Sequence, residues 1–165
     1  MSTKLNLGCG DLLFKKEDGW INVDLFNPAA DLQADVKKLP FKDNSVDEIY
    51  NCHLIEHFTF WDSFEVLKEW ERVLKPGAWL VTETCDFLAS CKKFVESNEQ
   101  GRIGLYGHFF AYPCRPGQTH YFLYTETQLK WNLEQAGFKN CERLPAKRYI
   151  GMEDVCLKIA CQKEN

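Results

Sequence analysis

The sequence predicts an α/β protein built on a mostly parallel sheet, and three observations carry that prediction. A short apolar run at residues 5–7 ends in Gly8-Cys9-Gly10, the pattern of a buried strand that turns sharply where backbone must approach a ligand. Two further apolar runs, 20–24 and 32–36, carry the carboxylates Asp24 and Asp35 near their ends, where α/β nucleotide sites place an acid against ribose hydroxyls. Near the terminus, residues 138–144 and 155–162 read as two strands, the second with Val155, Leu157, Ile159 and Cys161 alternating with more polar neighbours. About ten residues separate them, as suits an antiparallel pair closing one edge of the sheet.

The elements between follow in order. Only ten residues separate Gly10 from Ile21 and six separate Leu25 from Leu32, whereas a parallel crossover takes roughly a dozen or more. The first two crossovers are therefore expected to shrink to a turn or an extended loop, leaving the ligand cleft open on that side. A strand over 46–51 comes next. Residues 62–75 predict the clearest helix, opened by Asp62 with Glu65, carrying Val66, Leu67, Trp70, Val73 and Leu74 at helical spacing, and stopped by Pro76-Gly77. A strand over 78–84 follows directly. A second helix is expected over 126–136, opened by Thr125 with Gln128 and closed by Gly137. Between these helices, residues 101–124 hold Tyr106, His108, Phe109, Phe110, Tyr112, His120, Tyr121, Phe122 and Tyr124, interrupted by Gly104, Gly107, Pro113, Pro116 and Gly117. That stretch is expected to be an aromatic loop serving as a lid or acceptor pocket.

Taken together, the motifs resemble those of class I S-adenosylmethionine-dependent methyltransferases, in particular their short type 11-like members, from Lys4 to about Gln162. Leu39-Pro40-Phe41 with Ser45-Val46-Asp47 is similar to the family's entry to the fourth strand, His53 to His57 to its exit, and Leu74-Lys75-Pro76-Gly77 to the turn into the fifth. The resemblance implies a Rossmann-like, mostly parallel sheet, to which the strand pattern and the residue counts add a C-terminal antiparallel hairpin and shortened early crossovers. It implies S-adenosylmethionine as cofactor, with Gly8, Cys9 and Gly10 beneath its methionine part, Asp24 on the ribose and Asp35 at the adenine. His53 and Glu56, at the end of the fourth strand, are counted with the cofactor cleft. His120 and then His57 are the candidates for acceptor contact or proton removal, and Glu83 and Asp86 are further candidates at the end of the fifth strand. The third glycine of the dinucleotide pattern is absent, because Leu13 follows Gly10 by three, which argues against an NAD site.

His53-Leu54-Ile55-Glu56-His57 also matches H-x-x-E-H, the signature of an inverted zinc metallopeptidase. The preceding strand puts His53 at a strand end and not on a helix, so a zinc hydrolase is set aside and no metal is expected. A non-catalytic cofactor-binding or interaction domain is the alternative from another class.

The 165 residues suit one domain. A net charge of −4 supplies no field for nucleic acid, and Lys92-Lys93 and Lys147-Arg148 are the only basic pairs of note. No apolar run is long enough to span a membrane, and no signal peptide precedes the first strand, so a cytoplasmic protein is expected. The eight cysteines show no Cys-x-x-Cys pair and read as reduced, structural thiols. Composition favours a small-molecule or glycan-type acceptor. Few residues precede the first strand, so either the aromatic stretch alone or a second subunit in a homodimer is expected to cover the methyl group.

Overall fold

The computed structural model describes residues 2–111, 117–146 and 152–165. Seven strands form one sheet in the order β3-β2-β1-β4-β5-β7-β6: β1 (Lys4–Leu7), β2 (Trp20–Asp24), β3 (Leu32–Gln33), β4 (Val46–Cys52), β5 (Leu74–Cys85), β6 (Phe138–Leu144) and β7 (Cys156–Lys163). The strands β1 to β5 pair in parallel, and β7 runs antiparallel to both β5 and β6. The expected C-terminal hairpin is present, with β7 inserted between β5 and the edge strand β6.

Alternation along the strands sorts the residues by face. Leu5, Leu7, Val23, Ile49, Leu80 and Ile159 are fully buried in the main apolar core. The helix α1 (Phe60–Val73) joins that core through Val66, Leu67, Trp70 and Val73, and α4 (Glu126–Gln135) through Leu129 and Leu133. The α1 helix starts two residues earlier than its sequence pattern suggests. Thr59 is the cap, its hydroxyl accepting from Asp62 N–H at 3.1 Å while donating to the Asp62 carboxylate at 2.7 Å. Thr125 caps α4 as expected.

No α-helix occurs in the first two crossovers, and hydrogen bonds replace one. Asn6 donates to the Leu12 carbonyl and to Asn22 Oδ1, while Asn22 both accepts from Phe14 N–H and donates to the Phe14 carbonyl. These bonds clamp residues 12–14 onto the sheet, where Phe14 packs against Trp20 and Tyr50. Two buried asparagines thus do by side-chain pairing what a crossover helix does by apolar contact.

The motifs around β4 and β5 interlock. Arg72 of α1 donates to the carbonyls of Leu39 and Phe41, and Glu69 accepts from Leu39 N–H. Asp47 accepts from Thr3 N–H at 2.7 Å and from Lys75 at 2.6 Å. All of this lies at the amino ends of the strands. Gly77, at φ +73°, sits in an irregularity of the β4–β5 register between Val46 and Glu48.

Residues 101–110, expected as loop, are helical. After β5 the chain forms two helices, α2 (Phe87–Glu96) and α3 (Glu99–Phe110). Asp86 caps α2 by accepting from Ala89 N–H, and Asn98 caps α3 by accepting from Gly101 N–H. Arg102 then closes the end of α2 by donating to the Phe94 and Val95 carbonyls. Gly101, Gly104 and Gly107, which read as loop punctuation in sequence, recur every three residues along α3. Tyr112, Pro113, Cys114, Pro116 and the pair Lys147-Arg148 lie outside the described residues. Among the described residues, no helix is long and apolar enough to cross a membrane.

Candidate functional site

A cleft of about 1620 Å³ opens along the carboxyl ends of β1, β2, β4 and β5. It exceeds the roughly 300–1,000 Å³ of an ordinary small-ligand pocket, so two molecules can lie in it side by side. One end is built by the loops after β1, β2 and β3. Gly8 has φ +59°, and a Cβ placed there would stand 2.6 Å from Leu54 Cδ1, so both the backbone and the space require glycine. Asp24 holds this turn to the next loop: one carboxylate oxygen accepts from Gly10 N–H at 2.9 Å, and the other accepts from Phe26 and Asn27 N–H. Asn27 donates in return to the Gly10 carbonyl. Cys9 is buried, and that burial, reinforced by Asp24, pushes its thiol up to about 11. Asp35 lies on the same rim, exposed, accepting from Lys37 N–H. The structure therefore brings Gly8, Cys9, Gly10, Asp24 and Asp35 to one end of the cleft.

Four histidines are present in the chain, and all four line the other end. His53 follows β4 in a left-handed conformation at φ +51°, with its N–H donated to the Glu83 carbonyl. The next turn, Ile55–His57, buries Glu56 completely behind His53, and the Glu56 carboxylate meets His53 Nδ1 at 2.8 Å. Burial opposes both charges. The pair nevertheless holds Glu56 well below the ordinary carboxylate range and His53 well above the ordinary imidazole range, because each supplies the other's counter-charge and hydrogen bond. Glu56, expected at the cofactor, is thus a buried support for His53 and not part of the cleft lining.

His57 and His120 face each other with ring centroids 4.9 Å apart. Their positions come from backbone pairing, because Tyr121 and Phe122 N–H both donate to the Glu56 carbonyl and so hold residues 119–122 against the 55–57 turn. Nδ1 of His57 donates to the Thr119 carbonyl, and Nδ1 of His120 donates to the His108 carbonyl at 3.0 Å. A carbonyl only accepts, so His120 keeps its proton on Nδ1 and presents Nε2 as a lone pair. Burial, aided by His57, lowers its pKa and keeps it neutral, against the opposing pull of Glu56. Burial also pushes His108 down to about 4.

Two residues expected at the chemistry lie elsewhere. Glu83 does not line the cleft, and its carboxylate lies near Tyr50 and Lys158. Asp86 caps α2 and accepts from Arg143 at 3.0 Å. Conversely, Cys85 at the end of β5 enters the cleft with Sγ 3.6 Å from His53 Nδ1, and Gly104, Gly107 and His108 bring one face of α3 to the same wall. A Cβ at Gly104 would meet nothing within 4 Å. The i, i+3, i+4 spacing of Gly104, Gly107 and His108 was the available signal for that face, and their glycines hid it.

The family profile described as "Methyltransferase domain" matches residues 15–82, from just beyond the glycine turn to the middle of β5. A search of curated protein sequences finds no match. Among solved structures, the chain is similar to a possible exported protein from Bordetella parapertussis, with 17% identity and TM-score 0.68 over 99% of this chain and 62% of that one. It thus spans less than two thirds of that protein's length. It is similar to a SAM-dependent methyltransferase from Archaeoglobus fulgidus (16% identity, TM-score 0.66, 98% of this chain and 86% of that one). A third is the 1,6-didemethyltoxoflavin-N1-methyltransferase of Burkholderia thailandensis, solved with 1,6-didemethyltoxoflavin and S-adenosylhomocysteine (17% identity, TM-score 0.65, 99% and 72%). The sheet order and these similarities show that the chain has the fold of the class I S-adenosylmethionine-dependent methyltransferases.

Proposed function

We propose that the chain transfers the methyl group of S-adenosylmethionine to a small-molecule or glycan-type acceptor bound between α3 and the histidine wall. The observation that carries this reading is the bond from Gly10 N–H to Asp24, which joins a side-chain-poor turn and an acid on one rim, with neutral imidazoles at the far end of the same cleft. Gly8, Cys9 and Gly10 would offer backbone to the methionine part, Asp24 would take the ribose, and Asp35 the adenine edge. The absent side chain at Gly10 fits such a ligand, since a Cβ there would meet no protein atom within 4 Å and the space beside the turn is open.

When bound, the cofactor supplies an electrophilic methyl group, and the protein's work is alignment and exclusion of water. The Gly104 and Gly107 face leaves room for the acceptor beside the histidines. His120 accepts the acceptor's proton at Nε2, His108 fixes its tautomer through the carbonyl, and His57 buttresses the ring. The acidic chain makes nucleic acid a poor acceptor.

Replacing His120 by alanine should slow turnover by about 10²–10⁴-fold, the usual share of a positioned base, while leaving S-adenosylhomocysteine affinity nearly intact. Calorimetry beside a methyl-donor assay against pooled metabolites and glycans checks this. A loss confined to cofactor binding contradicts the role. Turnover should rise with pH through the His120 pKa, and because that pKa lies below the ordinary 6.5, the acid limb should fall below that value. Cofactor binding with no turnover on any acceptor class would instead favour a binding domain without catalysis.

A further inference from the structure

The His53–Glu56 pair is more elaborate than an orienting contact requires. Three different donor types meet there: Nδ1 of His53, a carboxylate oxygen of Glu56 and Sγ of Cys85 lie within 4.8 Å of one another. Glu56 is fully buried, and its Oε2 has no hydrogen-bond partner among the described residues. A buried carboxylate oxygen left unpaired is costly, and native structures seldom leave one without reason.

We infer that His53, Glu56 and Cys85 form a binding site for a divalent cation of the zinc type, with one coordination position facing the cleft. The donor set is the first argument. Imidazole, carboxylate and thiolate together suit zinc and do not suit magnesium or calcium, which prefer oxygen alone. Geometry is the second. Tetrahedral zinc, with bonds of about 2.0–2.3 Å, holds its donor atoms about 3.3–3.6 Å apart. Sγ of Cys85 already lies 3.6 Å from Nδ1 of His53, and the 2.8 Å contact from Nδ1 to Glu56 needs to widen by only about half an ångström as the shared proton leaves. Placement is the third. His53 and Cys85 line the cleft while Glu56 stands behind them, so three donors from the protein leave the fourth position toward the acceptor side.

This is not the H-x-x-E-H arrangement of the sequence. His57 turns away, with Nδ1 donated to the Thr119 carbonyl, and the third donor comes from β5. Cys156 lies opposite Cys85 across β5 and β7. Binding is balanced by release of two protons, one from the His53 imidazolium and one from the Cys85 thiol, as the cation takes both lone pairs. No electron moves.

The site requires only the full chain without cofactor, so its test is separate from that of methyl transfer. Protein purified without a metal-affinity column and stripped with chelator is titrated with cobalt(II), then with zinc(II) against a chromophoric chelator. The expected result is one equivalent per chain, with a thiolate-to-cobalt absorption that Cys85→Ser abolishes and an affinity that Glu56→Gln weakens at least tenfold. Cys91→Ser should change neither. In the unmodified protein, zinc should shield Cys85 from alkylation, read by peptide mapping, which keeps the test valid if a variant fails to fold. Less than stoichiometric binding, an absorption that persists in Cys85→Ser, or a Cys85 alkylated equally with and without zinc overturns the assignment.

Discussion

Replacing His53 by alanine is expected to lower the unfolding free energy by about 3–5 kcal/mol, the cost of leaving one member of a buried ion pair uncompensated. Glu56 is wholly inaccessible, and His53 is the counter-charge in direct contact with its carboxylate, so the variant must either bury a bare negative charge or protonate it. Urea denaturation of His53→Ala, Glu56→Gln and the double variant measures the coupling. The double variant should recover part of the loss, because it removes both charges together. A drop below about 1 kcal/mol for His53→Ala would show that the pair contributes no more than an exposed salt bridge. The pH dependence has two sides. Glu56, held low, stabilises the fold above the unfolded carboxylate pKa, and that contribution disappears as pH falls through its depressed folded value. His53, held high, contributes fully below the unfolded imidazole pKa and loses its share as pH rises through its elevated folded value. The pair is at full strength between the two ordinary values, 4.5 and 6.5.

Asp24→Ala is expected to weaken S-adenosylhomocysteine binding by about 1–3 kcal/mol, the range of a lost hydrogen bond to a charged group. The effect has two sources. In the proposed binding mode the carboxylate meets ribose hydroxyls, and it also holds Gly10, Phe26 and Asn27 through their N–H groups, so its loss releases both walls of the proposed cradle. Calorimetry separates this from Asp35→Ala, whose exposed carboxylate accepts from Lys37 N–H alone among the described residues and should cost less. Unchanged affinity in Asp24→Ala removes that residue from the proposed contact set.

The sheet was legible because its strands announce themselves locally. Short apolar runs ended by glycine or aspartate, the capped helix over α4 and the alternation in β7 each encode one element without reference to the others. The brevity of the first two crossovers was legible by counting residues alone. The motif most specific in sequence, Leu74-Lys75-Pro76-Gly77, tells of the fold and not of the chemistry: Lys75 ties Asp47 at the end of the sheet opposite the cleft. Helix α3 escaped notice because three glycines weaken its intrinsic propensity, and the helix is held instead by its Asn98 cap and by Phe94 packing on Tyr106 and Phe109. Cys85 escaped because a strand cysteine reads as a small apolar residue until the end of β4 is seen beside it. Contacts between residues more than thirty positions apart, such as Cys85 with His53, have no local signature.

The asparagine clamp of the early crossovers has a consequence for motion. All the α-helices of the described chain follow residue 59, so the half that carries the proposed cradle is stapled by a handful of polar contacts instead of by a packed apolar layer. Such a region opens at a fraction of the free energy of global unfolding. A ligand seated there would act as the missing layer, and its arrival would stiffen residues 8–31 far more than the helical half. Breathing of the loops and capture of the ligand would then be two aspects of a single equilibrium.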